Sequence, residues 1–103
     1  MVERVAWWDD YADPTPAVVG HYWRWYSRAG ADRYARDEEG LFGDAGPADW
    51  LGPQKNVYCC DFSVGARFRE IHDGFAPGTY TRLAALRWPE RNLVFDNGET
   101  LDT

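Results

Sequence analysis

Residues 56–63 read Asn56-Val57-Tyr58-Cys59-Cys60-Asp61-Phe62-Ser63 and hold both cysteines of a 103-residue chain. β-branched and aromatic residues suit a pleated, half-buried surface, so a short strand is predicted over residues 57–61. Successive side chains of a strand point to opposite faces, so Cys59 and Cys60 diverge. A bridge between adjacent cysteines closes a strained ring. Two reduced thiols are therefore expected, one in the core and one toward the outer surface or a cleft.

Reading outward, residues 63–71 (SVGARFREI) place Val64, Phe68 and Ile71 at helical spacing, which predicts a helix ended by His72-Asp73-Gly74. Residues 79–88 predict a long strand stopped by Pro89, and residues 93–95 a second one. Asp96-Asn97-Gly98-Glu99 then reads as a hairpin turn. Upstream, residues 2–8 predict a short strand, and Asp13-Pro14-Thr15-Pro16 a break. Residues 18–26 (VVGHYWRWY) are β-rich, with His21, Trp23 and Trp25 on one face and Tyr22, Arg24 and Tyr26 on the other. A helix opening at Thr15 with Pro16 in its first position is the alternative there. Residues 29–39 predict a helix stopped by Gly40, and residues 41–53 a loop plugged by Trp50 and Leu51. The order predicts one α+β domain over residues 1–103, a small, mostly antiparallel sheet with two helices packed on it.

Hydrophobic residues make up 45% of the chain and charged residues 27%, a globular composition. Net charge is −6. That balance argues against broad nucleic-acid binding and favours solubility or docking on a basic partner. No apolar run approaches the roughly 20 residues of a membrane span. The opening MVERVAWWDD lacks the basic and apolar regions of a secretory signal, so the cytoplasm is the expected compartment. Aromatic residues, at 17%, read first as core filling.

Chemistry-bearing groups are sparse. The two histidines, His21 and His72, lack zinc-like spacing to the cysteine pair, so no metal site is expected. Gly43-Asp44-Ala45-Gly46 lacks the flanking strand and Lys-Ser/Thr of a phosphate-binding loop. Cys59 and Cys60 read first as small residues of a half-buried strand. A cysteine nucleophile with a histidine base has no local signature.

Three segments, YWRWYSRAGADRYARDEEGLFG, NVYCCDFSVGARF and GTYTRLAALRWPERNLV, together resemble the small ADP-ribosyltransferase-like domains of bacterial toxins and some phage proteins. The resemblance is one of pattern and spans about residues 20–99. It implies an NAD-binding or NAD-using domain acting on an unidentified acceptor. Arg24 matches the anchor on the first core strand, with His21 as its substitute. Tyr58 matches the aromatic residue of the second strand, and Glu99 the late glutamate. The implied catalytic residues are thus Glu99 and Arg24, and the implied NAD-binding residues Arg24, His21, Tyr58 and Cys59. In that chemistry the basic group anchors ribose or phosphate, and the carboxylate steadies the positive charge that develops as nicotinamide leaves. The chain departs from the pattern in three places. Cys59 or Cys60 stands where Ser or Thr is expected, Asn97 replaces a Glu or Gln, and four residues follow Glu99 where the family has more sheet.

A reading from a different class uses the charge. An acidic, non-enzymatic binding protein, such as an immunity protein or a phage inhibitor of a host defence complex, would meet a basic protein surface. It would use Asp9, Asp10, Asp37, Glu38 and Glu39. A third reading is an aromatic-lined binder of small molecules built on Trp23, Trp25 and Trp50. Convergence of Arg24, Tyr58 and Glu99 on a cleft would favour the enzyme, and their scattering the binding protein.

Overall fold

Strand β2 (Val57–Cys59) is the hinge of the architecture. The computed structural model describes residues 5–22, 24–26, 41–43 and 45–103. Every side chain of β2 is fully buried, and alternate residues enter different cores. Val57 and Cys59 pack with Trp8, Leu41, Phe42 and Leu51. Tyr58 faces the other way, into Trp50, Phe62, Leu93 and Phe95, and Cys60 packs on that second cluster. The period-2 geometry of one strand therefore feeds two hydrophobic cores, each strand residue contributing on the order of 2 kcal/mol of burial. Both cysteines are free thiols, and each belongs to a different core.

The fold is α+β. Strand β1 (Ala17–Val19) pairs with β2 in parallel, Val18 opposite Tyr58. The chain leaves that ladder at Cys60, whose N–H still donates to the Val19 carbonyl at 3.0 Å. It then enters a second, four-stranded antiparallel sheet ordered β3 (Asp61–Phe62), β4 (Arg82–Arg87), β5 (Asn92–Phe95) and β6 (Thr100–Asp102). Leu93 and Phe95 of β5 and Ala84 and Leu86 of β4 face the second core, while Leu83, Ala85 and Arg87 face solvent. The expected hairpin forms between β5 and β6, with the Gly98 N–H donating to the Phe95 carbonyl.

Four expectations need correction. Residues 7–10 form a 3-10 turn (Trp7–Asp10), where a strand was expected to run to Trp8. Buried Trp8, stacked on Phe42 and edge-on to Tyr22, fixes that turn. The strand expected over residues 18–26 stops at Val19. His21 takes φ 72°, its N–H donates to the Asp61 carboxylate at 2.7 Å, and the chain turns there. The strand expected over residues 57–61 divides at Cys60. The helix expected over residues 63–71 is a 3-10 turn (Val64–Ala66) followed by helix α1 (Arg67–His72). The helix expected over residues 29–39 lies outside the described residues.

Helix α1 is inside out relative to its apolar spacing. Phe68 is 81% exposed and Ile71 52% exposed, whereas Glu70 is fully buried. A ring of donors explains the inversion. Glu70 Oε1 accepts from the Gly78 N–H at 2.7 Å and the Thr81 hydroxyl at 2.8 Å. Its Oε2 accepts from the N–H groups of Tyr80 at 2.6 Å and Thr81 at 3.0 Å. The carboxylate thus ties α1 to the loop that leads into β4, and Arg67 reaches the same loop through the Thr81 carbonyl and pairs with Asp96. Orphaned buried N–H groups are costly, so a carboxylate that satisfies three of them claims the inward position over an apolar side chain.

Candidate functional site

Arg24 sits between the two cores. Its backbone N–H donates to the Asp61 carbonyl at 2.9 Å, which aims the side chain inward. The guanidinium is fully buried. Nη1 donates to the Cys59 carbonyl at 2.9 Å and Nη2 to the Gly46 carbonyl at 2.6 Å. The rings of Phe42, Tyr58 and Phe62 surround it at 5.2–5.3 Å from their centroids. Burial lowers its pKa, though a guanidinium stays protonated.

Tyr58 is equally buried, and its hydroxyl donates to the Pro47 carbonyl at 2.7 Å. Burial pushes its pKa up. The same cause pushes the Cys59 thiol up to about 11 and raises Cys60. Both sulfurs are therefore neutral thiols at neutral pH, the opposite of an activated nucleophile.

Among the residues expected to act, the structure brings Arg24, Tyr58 and Cys59 together, but in the interior. Arg24 and the Tyr58 hydroxyl donate to backbone carbonyls, and all three residues are almost wholly shielded from solvent. His21 is exposed on the turn after β1. Glu99 stands on the β5–β6 hairpin with its side chain 56% exposed, paired with Arg82. That hydrogen bond from Arg82 holds its carboxyl below the usual range. Arg24 and Tyr58 thus tie together the segments around Cys59, Gly46 and Pro47.

A different set of groups faces solvent. A groove of about 740 Å³ opens between the 3-10 turn, residues 41–43 and 45–50, and the turn after Leu51. Its floor is Trp8, Phe42 and Trp50, with Trp8 and Phe42 stacked 14° from parallel. Gly52 brings the turn hard against the floor. It has φ 86°, and a Cβ there would lie 2.7 Å from the Trp8 carbonyl oxygen, so only glycine fits.

Asp9, Asp49, Lys55 and Arg91 ring the groove, and none of them forms an ion pair with a described residue. Asp49 accepts from the Gly46 N–H at 2.8 Å. The Arg91 guanidinium lies 4.2 Å over the Trp50 ring and 5.6 Å from that of Trp88. Of these residues the sequence singled out Trp50 as an aromatic platform and Asp9 as part of an acidic run. Lys55 and Arg91 carried no signal, because both are turn residues at positive φ whose side chains gain a common address only through the fold.

Glu99, singled out from the sequence, meets a partner that was not, Arg82. Arg82 lies 4.0 Å over the Tyr26 ring and pairs with Glu99, so a guanidinium, a phenol ring and a carboxylate meet beside the β5–β6 hairpin. Among the described residues, no cluster of histidine, cysteine and acidic side chains has the shape to hold a metal ion, and no helix is long and apolar enough to cross a membrane. No family model, no curated protein and no solved structure matches the chain.

Proposed function

We propose that this chain is a non-enzymatic acidic binding protein that docks on another protein through helix α1. The observation that carries this reading is the inverted helix. Phe68 and Ile71 lie three residues apart on one face and project into water, while Glu70 anchors the helix from behind. A small domain that buries a carboxylate and displays a phenylalanine presents apolar area for a partner to cover. The net charge of −6 and Asp73, exposed at the end of α1, favour a partner with a basic rim. The burial of Arg24 and Tyr58 away from exposed Glu99 is the scattering that favours this reading.

The test is affinity capture from a lysate of the producing cell, with the wild-type chain and Phe68→Asp/Ile71→Asp as parallel baits. A partner held by wild type, lost to the double variant and released by added salt supports the proposal. Identical captures by both baits overturn it.

A second reading rests on the Glu99–Arg82–Tyr26 group, where a carboxylate, a guanidinium and a phenol ring meet. Under it, NAD would raise the melting temperature by mass action, and Glu99→Gln would abolish nicotinamide release. Neither NAD binding nor turnover by the wild-type chain would end that reading.

A further inference from the structure

We infer that the groove over Trp8, Phe42 and Trp50 is a binding site for a short zwitterionic peptide bearing an apolar or aromatic side chain. This stands apart from docking through α1, and Phe68 and Ile71 do not line the groove. Three observations point to that ligand class.

First, three ion pairs form elsewhere on the surface. Arg67 meets Asp96, Arg82 meets Glu99, and Arg87 meets Glu90 at 3.6 Å. Among the described residues around the groove, two carboxylates and two cations are held without pairing to each other. A ligand with one charge of each sign satisfies both kinds at once, whereas a purely anionic or cationic one meets a like charge.

Second, Arg91 is prepared for a carboxylate. Its flat face rests on Trp50 and its side chain makes no hydrogen bond to a described residue, so its N–H edges stay free. A stacked guanidinium with free edges takes a carboxylate bidentately. Lys55 adds a second cation, and Asp9 and Asp49 accept an ammonium group.

Third, the groove is backed by the aromatic rings of Trp8, Phe42 and Trp50, 1%, 4% and 6% exposed, and its walls are small. Ala6, Gly43, Ala45 and Ala48 leave room beside the rings. About 740 Å³ falls within the range of ligand sites and exceeds what a single amino acid fills. A peptide of two or three residues lays its side chain on the floor and its two termini on the charged rim.

The experiment uses one peptide body in three charge states. L-alanyl-L-phenylalanine, its N-acetyl form and its C-terminal amide are titrated against the whole chain by ligand-observed NMR. The free peptide is expected to bind, and each cap to weaken binding by about fivefold or more. Asp9→Asn should equalise the free and acetylated peptides. Arg91→Gln should equalise the free peptide and the amide. Lys55→Asn, a residue type that tolerates the positive φ at that site, should narrow the same gap without touching the Trp50 stack. Equal affinity for all three peptides, variants that keep the wild-type discrimination, or no binding of the free peptide at about 10 mM would overturn the inference. The Phe68→Asp/Ile71→Asp chain should bind the peptide normally, which separates this outcome from that of the docking proposal.

Discussion

Replacing Glu70 with Gln changes one oxygen to an amide nitrogen and removes one charge. Wild-type Glu70 accepts four hydrogen bonds, from the N–H groups of Gly78, Tyr80 and Thr81 and from the Thr81 hydroxyl. The Gln amide has only one acceptor oxygen. If it keeps the Tyr80 and Thr81 N–H groups, its NH₂ faces the Gly78 N–H, and the Thr81 hydroxyl must turn. A bond to a charged group contributes about 1.5–3 kcal/mol and a neutral one about 1 kcal/mol. An unpaired buried donor costs a further 1–3 kcal/mol or so. Two weakened bonds and one N–H left without its acceptor together destabilise the fold by about 2–7 kcal/mol. A domain of this size has about 5–15 kcal/mol in total.

Urea denaturation followed by tryptophan fluorescence reads this as a lower midpoint at an unchanged slope. The pH dependence is a second arm of the same test. Burial by itself would raise the Glu70 pKa, but the hydrogen bonds from Tyr80, Gly78 and Thr81 outweigh it and hold the carboxyl below its ordinary 4.5. Its folded pKa is depressed, so its contribution is present above pH 4.5 and is lost as pH falls through the lowered value. Glu70→Gln should remove that part of the acid loss. A destabilisation under about 1 kcal/mol with the acid limb unchanged would refute the reasoning, because the inverted helix would then have some other anchor.

Arg24→Lys should cost about 3 kcal/mol in the same assay, because an ammonium cannot bridge two carbonyls while stacking among three rings. Gly52→Ala should cost about 2 kcal/mol or more, since it meets both a positive φ and the Trp8 carbonyl, and should change the fluorescence of the groove tryptophans. Cys59 should resist alkylation in the native protein and react at once in denaturant. Its folded pKa of about 11 exceeds the ordinary 9.0, so its contribution is complete below pH 9 and falls as pH rises toward 11, by up to about 3 kcal/mol. Cys59→Ala should flatten that alkaline decline.

The sequence made the second half of the chain legible because its signals there are local. Pro89 stops β4, Asn97-Gly98 turns β5 into β6, and alternation sets which residues of β4 and β5 face the core. The divergence of Cys59 and Cys60 also follows from strand geometry alone, although that both sides would be cores does not. Spacing misled in α1, because Val64, Phe68 and Ile71 carry a helical stripe whatever they face. The carboxylate that displaced them answers to N–H groups eight to eleven residues further on. The burial of Arg24 has a related cause. An arginine in a β-rich run reads as a surface anchor, and its burial depends on carbonyls of Gly46 and Cys59 that no local pattern connects to it. The groove was invisible because Trp8, Phe42, Lys55 and Arg91 lie in separate turns.

The most direct test of the central claim is to measure the Phe68→Asp/Ile71→Asp chain for stability and for partner capture together. The account predicts a midpoint of unfolding within about 0.5 kcal/mol of wild type, since both side chains face water, with capture of the partner abolished. A chain that unfolds would mean that these residues belong to the core, and a stable chain that still captures the same partner would mean that α1 is not the docking surface.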